Sequence, residues 1–237
     1  MTSFALASET FRTTNRQAAA ELFQCVQLSV DGGSVQSSDG TTILPHKSIA
    51  EESDLDLVFV CANAGAAHFA DVDVKRWLQG FARRGVPLGA FSSGAFVLAR
   101  FGLLNQHVCT IHWDDADAFR EMYPAIELTD NVYVISGDRF TCAGGTASVD
   151  MLLHLVSQSL GADLAARVAD EFIIDRPRPA KESQIQHRRM RRQALSPVLQ
   201  HVIDLMQVEA DQLLGLERSL VRRVFPPASC IDCLNVI

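Results

Sequence analysis

The chain lacks any long apolar run. No stretch of its 237 residues approaches the 18 or more consecutive apolar residues that a membrane-spanning helix needs. The first sixteen residues, MTSFALASETFRTTNR, carry a short apolar patch with no basic residue ahead of it, which is not the pattern of a secretory signal. We therefore expect no membrane partner and a cytoplasmic location.

Positive charge is also scarce, because 21 Lys and Arg face 28 Asp and Glu and the net charge is -7. A surface of that sign does not bind nucleic acid over its whole area. Residues 176–192 are the exception, since they contain seven Lys or Arg and a single acid, Glu182. This shift in composition predicts a domain boundary, with a basic linker over 176–196.

Disulfide and metal patterns are missing as well. The six cysteines are scattered through apolar contexts of a chain long enough to bury a core without cross-links, so we expect reduced thiols. Cys230 and Cys233 have a metal-like spacing, but no second pair accompanies them, and we expect neither a metal nor a cofactor.

What is present is an alternation of strand-like and helical segments. Near-continuous apolar runs bounded by Gly and polar turns predict buried parallel strands, and the intervening amphipathic segments predict crossover helices. The predicted strands cover 22–30, 55–62 and 86–93; the helices cover 74–85, a segment from Gly94, and 146–161; a hairpin over 132–145 turns at 136–138. We therefore expect an α/β fold with a doubly wound, mostly parallel sheet.

Ala90-Phe91-Ser92-Ser93-Gly94 joins a predicted strand to a helix with small residues two before and two after Ser92. This pattern is typical of a nucleophile elbow, where the backbone turns too sharply for larger side chains. His112, followed by Asp114 and Asp115, could supply a base and an orienting acid. The alternative is that the serine caps the helix or remains from an ancestral site.

Ser92 to Ala99, SSGAFVLA, resembles the elbow of the class I glutamine amidotransferase-like (ThiJ/PfpI) superfamily. More narrowly, it is similar to the sensor domain of AraC-type regulators of the GlxA kind, whose elbow commonly reads Cys-Thr-Gly-Ala-Phe-Val-Leu-Ala. Residues 9–15 (ETFRTTN), 31–40 and 140–156 (FTCAGGTASVDMLLHLV) add further matches in order and spacing. The resemblance covers about residues 3–207 and implies a flavodoxin-like three-layer sandwich.

Three departures from the superfamily's enzymes coincide. Ser92 stands where they have a cysteine, the slot of their helper glutamate falls near Ser3, and Ala62-Asn63 replaces a Gly-Gly that supplies oxyanion amides. A hydroxyl without a base stays protonated at neutral pH, so the resemblance implies binding without catalysis. The expected pocket residues are Asn63, Ser92, Ser93, His112 and Trp113.

The resemblance implies an amino acid or a quaternary amine as the effector. Trp113 could offer an aromatic face to a cation, although packing in the core is the role we favour for it. The resemblance also implies a first strand, which should precede Met1 and lie beside the elbow strand. It further implies a homodimer formed by the α/β domain.

The resemblance divides the chain into a sensing domain (1–175), the linker (176–196) and a shortened helix-turn-helix remnant (197–237). A second helix-turn-helix unit of the regulators has no counterpart, so we expect weakened DNA binding. The candidate phosphate contacts are Arg188, Arg189, Arg191, Arg192, Arg222 and Arg223.

The sequence thus predicts a transcriptional regulator of the AraC type, with a non-catalytic sensor for a small nitrogenous metabolite. Two alternatives stay open. One is an enzyme of the superfamily, either a Ser-dependent hydrolase or glyoxalase-like. The other is a truncated paralogue that acts by dimerising with a full-length regulator.

Overall fold

The computed structural model describes residues 1–62, 64–184 and 199. The chain divides into two compact units, Met1–Gln184 and Ile185–Ile237. The first unit therefore includes the beginning of the predicted linker, whereas the predicted helix-turn-helix remnant lies outside the described residues except for Leu199. No helix in the described part of the chain is long and apolar enough to cross a membrane.

The described residues of the first unit form six α-helices and ten short strands. In chain order they are α1 (Thr2–Ala18), β1 (Leu28–Ser29), β2 (Val35–Gln36), β3 (Thr42–Ile43), β4 (Lys47–Ser48), β5 (Val58–Cys61), α2 (Val72–Arg83), β6 (Leu88–Phe91), α3 (Gly94–Arg100), β7 (Val108–Thr110), α4 (Ala116–Met122), β8 (Glu127–Thr129), β9 (Tyr133–Ser136), β10 (Arg139–Cys142), α5 (Ala147–Leu160) and α6 (Ala162–Glu171). Short 3-10 turns lie at Ile49–Glu51 and Ala64–His68.

The central sheet has the strand order β5-β6-β10-β9. Strand β6 is parallel to both β5 and β10, and β9 joins β10 as an antiparallel hairpin. Strand pairs β1-β4 and β7-β8 are parallel as well, and β2-β3 is antiparallel. The predicted class, a doubly wound and mostly parallel α/β fold, is confirmed.

Side chains of the central strands alternate between two apolar layers. Val58 and Ala90 pack with residues of α2, α3 and α4 on one face. Phe59 and Phe91 belong to the other face, against α1 and α5, and their rings stack at 4.6 Å. Gly89 makes room for this stack, since a Cβ atom there would lie 2.1 Å from the Phe59 ring.

The predicted strand over 22–30 is wrong for most of its length, because only Leu28–Ser29 pairs with another strand. Asn15 of α1 explains the difference. Its side-chain oxygen accepts hydrogen bonds from the backbone N–H of Leu22 and Phe23, and its Nδ2 donates to the Phe23 carbonyl. Backbone groups that a strand would use in a ladder are therefore satisfied by a side chain instead.

Both positions beside the elbow strand, where the first strand was expected, are occupied by other strands. Strand β6 is flanked on both sides, with Ala90 opposite Val60 of β5 and Thr141 of β10. Among the described residues, β5 and β9 are the two edge strands of this sheet. Helices α1 and α6 were not among the predicted elements, and α1 packs against both α5 and α6.

The segment after α6 is held by a buried ion pair. Asp150 of α5 accepts hydrogen bonds from the backbone N–H of Arg178 at 2.8 Å and from its Nε at 2.7 Å. Arg178 Nη2 also donates to Thr146 Oγ1 at 2.8 Å. The Asp150 side chain is only 5% exposed, so Arg178 neutralises a charge that water does not reach.

Arg178→Gln should lower the free energy of unfolding by about 3 kcal/mol, because it leaves the Asp150 carboxylate buried without its partner. Urea denaturation at pH 7 measures this value. Arg176→Gln is the matched control, since Arg176 is largely exposed in its pair with Glu182, and its loss should cost about 0.5 kcal/mol or less. Equal losses in the two variants would contradict the assignment.

Candidate functional site

The candidate site begins at the turn between β6 and α3. Ser92 has φ of +53°, a left-handed conformation that non-glycine residues rarely adopt. Its backbone N–H donates to the Cys142 carbonyl at 3.0 Å, so the turn is tied to the end of the neighbouring strand β10. The strand therefore reverses into the helix within two residues, as an elbow does.

Two glycines clear the space that this turn requires. A Cβ atom on Gly94 would lie 2.5 Å from the Val60 carbonyl oxygen of β5. A Cβ atom on Gly144, which has φ of +90°, would lie 2.6 Å from the Cβ of Ser92. The small residue expected two positions after Ser92 is thus required by contact with the adjacent strand.

Helix α1 brings Ser3 to the same place. Ser3 Oγ accepts a hydrogen bond from the Gly145 N–H at 2.8 Å. Ser3 Oγ and Ser92 Oγ lie 3.3 and 3.0 Å from the point where a Gly144 Cβ would stand, so the two hydroxyls are close neighbours. The sequence analysis places the slot of the helper glutamate near Ser3, and Ser3 presents a hydroxyl that already accepts a backbone hydrogen bond.

Ser93 does not use its side chain to cap α3. Its buried hydroxyl donates instead to Asp115 Oδ2 at 2.7 Å. Sequence reasoning considered Asp115 as a residue that orients His112, and it missed this role. The bond joins the elbow to the loop between β7 and α4.

His112 already has a hydrogen-bond partner. Its Nδ1 accepts the Asp114 backbone N–H at 3.3 Å, so this ring nitrogen is engaged by the backbone. Neither Asp114 nor Asp115 has a side-chain hydrogen bond to the ring in the described part of the chain. The structure thus does not assemble the serine, histidine and aspartate into a relay.

Trp113 follows His112 on the surface. It is 41% exposed, so the expectation that it packs in the core is wrong. The buried side chain before this loop is Ile111, and the chain then turns outward. The rings of His112 and Trp113 lie 5.0 Å apart. Asn63, the remaining predicted pocket residue, lies outside the described residues, as do the six candidate phosphate-binding arginines.

Ser92 Oγ forms no side-chain hydrogen bond within residues 1–62 and 64–184. A neighbouring thiol does not replace the missing nucleophile either. Cys142 ends the adjacent strand, but burial raises its pKa to about 12, so it stays protonated at neutral pH. The described residues also contain no cluster of His, Cys, Asp or Glu that could hold a metal ion, and Cys230 and Cys233 lie outside them.

Comparison with known proteins identifies the family. Residues 7–158 match the model of the DJ-1/PfpI family. The chain belongs to this family. Its sheet order, its elbow and the glycines that clear it are therefore features of a flavodoxin-like DJ-1/PfpI domain, and the similarity noted in the sequence is confirmed.

Several relatives of this DJ-1/PfpI chain are transcriptional regulators. HTH-type transcriptional regulator GbdR of Pseudomonas aeruginosa is 33% identical over 219 residues, which cover 92% of this chain and 60% of GbdR. GlxA of Rhizobium meliloti is 37% identical over 172 residues, covering 72% of this chain and 53% of GlxA. The chain thus spans between half and two thirds of the length of these curated relatives.

A solved structure points the same way. The crystal structure of an AraC family transcriptional regulator from Pseudomonas putida superposes with a TM-score of 0.64 at 29% identity, covering 73% of this chain and 92% of that chain. An enzyme is also among the relatives: isonitrile hydratase of Pseudomonas putida is 30% identical over 138 residues, which cover 56% of this chain and 58% of the hydratase.

Gly94→Ala should lower the free energy of unfolding by about 1–3 kcal/mol, because the new methyl group meets the backbone of β5, which cannot move aside. Gly80→Ala in α2 is the control. Its nearest contact would be an ordinary 3.8 Å, and alanine favours the helix by about 1 kcal/mol. Chemical denaturation measures both values, and a neutral Gly94→Ala would contradict the packing described.

Proposed function

We propose that this chain is the sensing part of a transcriptional regulator of the AraC type, and that its DJ-1/PfpI domain binds a small nitrogenous metabolite without transforming it. The regulators among its relatives support the first statement. The chemistry of the elbow supports the second.

The observation that carries the proposal is that the hydroxyl of the elbow serine, Ser92, has no hydrogen-bonded base within residues 1–62 and 64–184. Attack by a serine hydroxyl requires a general base, since its own pKa lies far above neutrality. The Nδ1 of His112 is occupied by a backbone N–H, and Ser3 supplies a hydroxyl where a carboxylate would be needed. A hydroxyl in this setting can hydrogen-bond a ligand but does not become a nucleophile.

The surroundings of the elbow favour a ligand with a cationic nitrogen. Trp113 offers an exposed ring, and the face of an indole attracts cations. The carboxylates of Asp114 and Asp115 follow it directly in the chain. We propose that Ser92, Ser93, His112 and Trp113 line the pocket, with Asn63 completing it, and that amino acids or quaternary amines are the ligand class.

We also propose that the basic residues that follow the sensing domain contact DNA. Phosphates would be contacted from the linker by Arg188, Arg189, Arg191 and Arg192, and from the helix-turn-helix remnant by Arg222 and Arg223.

We also propose a homodimer formed through the DJ-1/PfpI domain. Light scattering and a salt series of DNA binding test these two statements.

Trp113→Ala should weaken binding of a betaine by about fivefold, whereas Trp113→Phe should keep part of the affinity, because loss of a cation–π contact removes about 1 kcal/mol. Calorimetry with a panel of amino acids and betaines measures the affinity. The matched ligand is a tert-butyl analogue, which has the same shape and keeps the carboxylate but lacks the positive charge. If the analogue binds the wild-type protein equally well, the cation-binding role of Trp113 is wrong.

The isonitrile hydratase among the relatives favours a second candidate, which is an enzyme of the superfamily. Incubation with isonitriles, small esters and 2-oxoaldehydes decides between the two. We expect no multiple turnover by the wild-type protein. Turnover that disappears in Ser92→Ala but persists in Ser159→Ala, a change at an exposed position of α5, would overturn the sensor proposal.

A further inference from the structure

The segment that leaves the sensing domain is joined to the candidate pocket by one side chain. Gln184 Nε2 lies within 3.0 Å of three acceptors: Thr110 Oγ1, the Ile111 carbonyl and the Asn131 carbonyl. Gln184 Oε1 accepts the backbone N–H of Trp113 at 3.1 Å. The carboxamide therefore uses both of its ends on the loop that carries His112 and Trp113.

The backbone around Gln184 reinforces this contact. Gln184 N–H donates to the Asp130 carbonyl at 2.8 Å, and Val132 N–H donates to the Glu182 carbonyl at 2.9 Å. Ser183 forms an antiparallel bridge with Asn131. Residues 182–184 thus pair with the segment that leads into β9. Gln184 is the last residue of the first compact unit.

The same loop is tied to the elbow on its other side. Ser93, the residue after Ser92, donates its hydroxyl to Asp115, two residues beyond Trp113. A ligand seated on the elbow and the Trp113 ring would contact a loop that is fixed at one end by Ser93 and at the other by Gln184. Movement of this loop would change the hydrogen-bond distances between the Gln184 carboxamide and its partners.

We infer that Gln184 is a positioning residue that couples occupancy of the pocket to the chain that follows residue 184. This inference rests on the proposed ligand pocket. Ligand contact with the 111–115 loop holds that loop where the carboxamide makes all its hydrogen bonds, which secures residues 182–184. Without the ligand the loop leaves this position more often, and residues 182–184 are then released more often. Allosteric coupling of this kind requires an element that both sites bias, and the loop is that element.

A ligand-free experiment tests the coupling through the loop. Trypsin cuts after basic residues, and the rate of cutting at Arg188–Arg192, located by mass spectrometry on the full chain, reports release of the segment. We expect Ser93→Ala to raise this rate about threefold, and to have no further effect in the Gln184→Ala background, since changes at coupled positions are not additive.

Ser93→Ala should also have no further effect on the cleavage rate in the Gln184→Glu background. A carboxylate keeps the acceptor but cannot donate to the three oxygens that face it. Gln158→Ala, at an exposed glutamine of α5, is the control and should leave the effect of Ser93→Ala unchanged. If Ser93→Ala raises the rate equally with and without the Gln184→Ala change, or raises it in neither background, the inference is wrong.

A second experiment uses whichever amino acid or betaine of the panel binds. This ligand should slow cleavage in the wild-type protein and have no effect on cleavage of Gln184→Ala, while the two proteins bind it within about threefold of each other. Slowing to the same degree in both would overturn the inference and leave the sensor proposal standing. If nothing in the panel binds, the proposed ligand class is wrong, and the ligand-free cycle still decides the role of Gln184.

Discussion

The site depends on the left-handed backbone of Ser92, wedged between two neighbouring strands. The residue can hold this conformation because Gly94 clears the Val60 carbonyl and Gly144 clears the serine's own Cβ. Strands β5 and β10 pair with β6 on either side and set these clearances. A strained turn of this kind persists only where the surrounding structure fixes it, and here the central sheet does so.

A cysteine at this position would have the same geometry as the serine. The difference in reactivity therefore comes from how readily each side chain loses its proton. A cysteine at a helix N-terminus can lose its proton near neutral pH, whereas a serine needs a partner to accept one. Around Ser92 the polar groups are engaged elsewhere: Ser3 with Gly145, Ser93 with Asp115, and His112 with Asp114. The turn has the shape of a nucleophile elbow, and the partners of these three groups lie elsewhere than at the Ser92 hydroxyl.

How far the sequence could predict the structure depended on how local the determining contacts are. Strands β5 and β6, the β9-β10 hairpin and helix α5 follow from apolar runs and turn residues within each segment, and they were predicted. The failed strand at 22–27 was decided by Asn15, whose bonds to Leu22 and Phe23 have no sequence signature. The exposure of Trp113 likewise depends on how the loop leaves Ile111, which no periodicity reveals.

Gln184 is the clearest example of a residue that sequence reasoning missed, because its partners lie 53 to 74 positions earlier in the chain. Its position also bears on what a pocket without catalysis can do. An enzyme changes its ligand, so its polar network must serve the reacting atoms. A sensor can report binding only by a change in its own structure, so its polar network must reach the chain that leaves the domain. The hydrogen bonds from Ser93 through the 111–115 loop to Gln184 would meet that second requirement under the proposed sensor function.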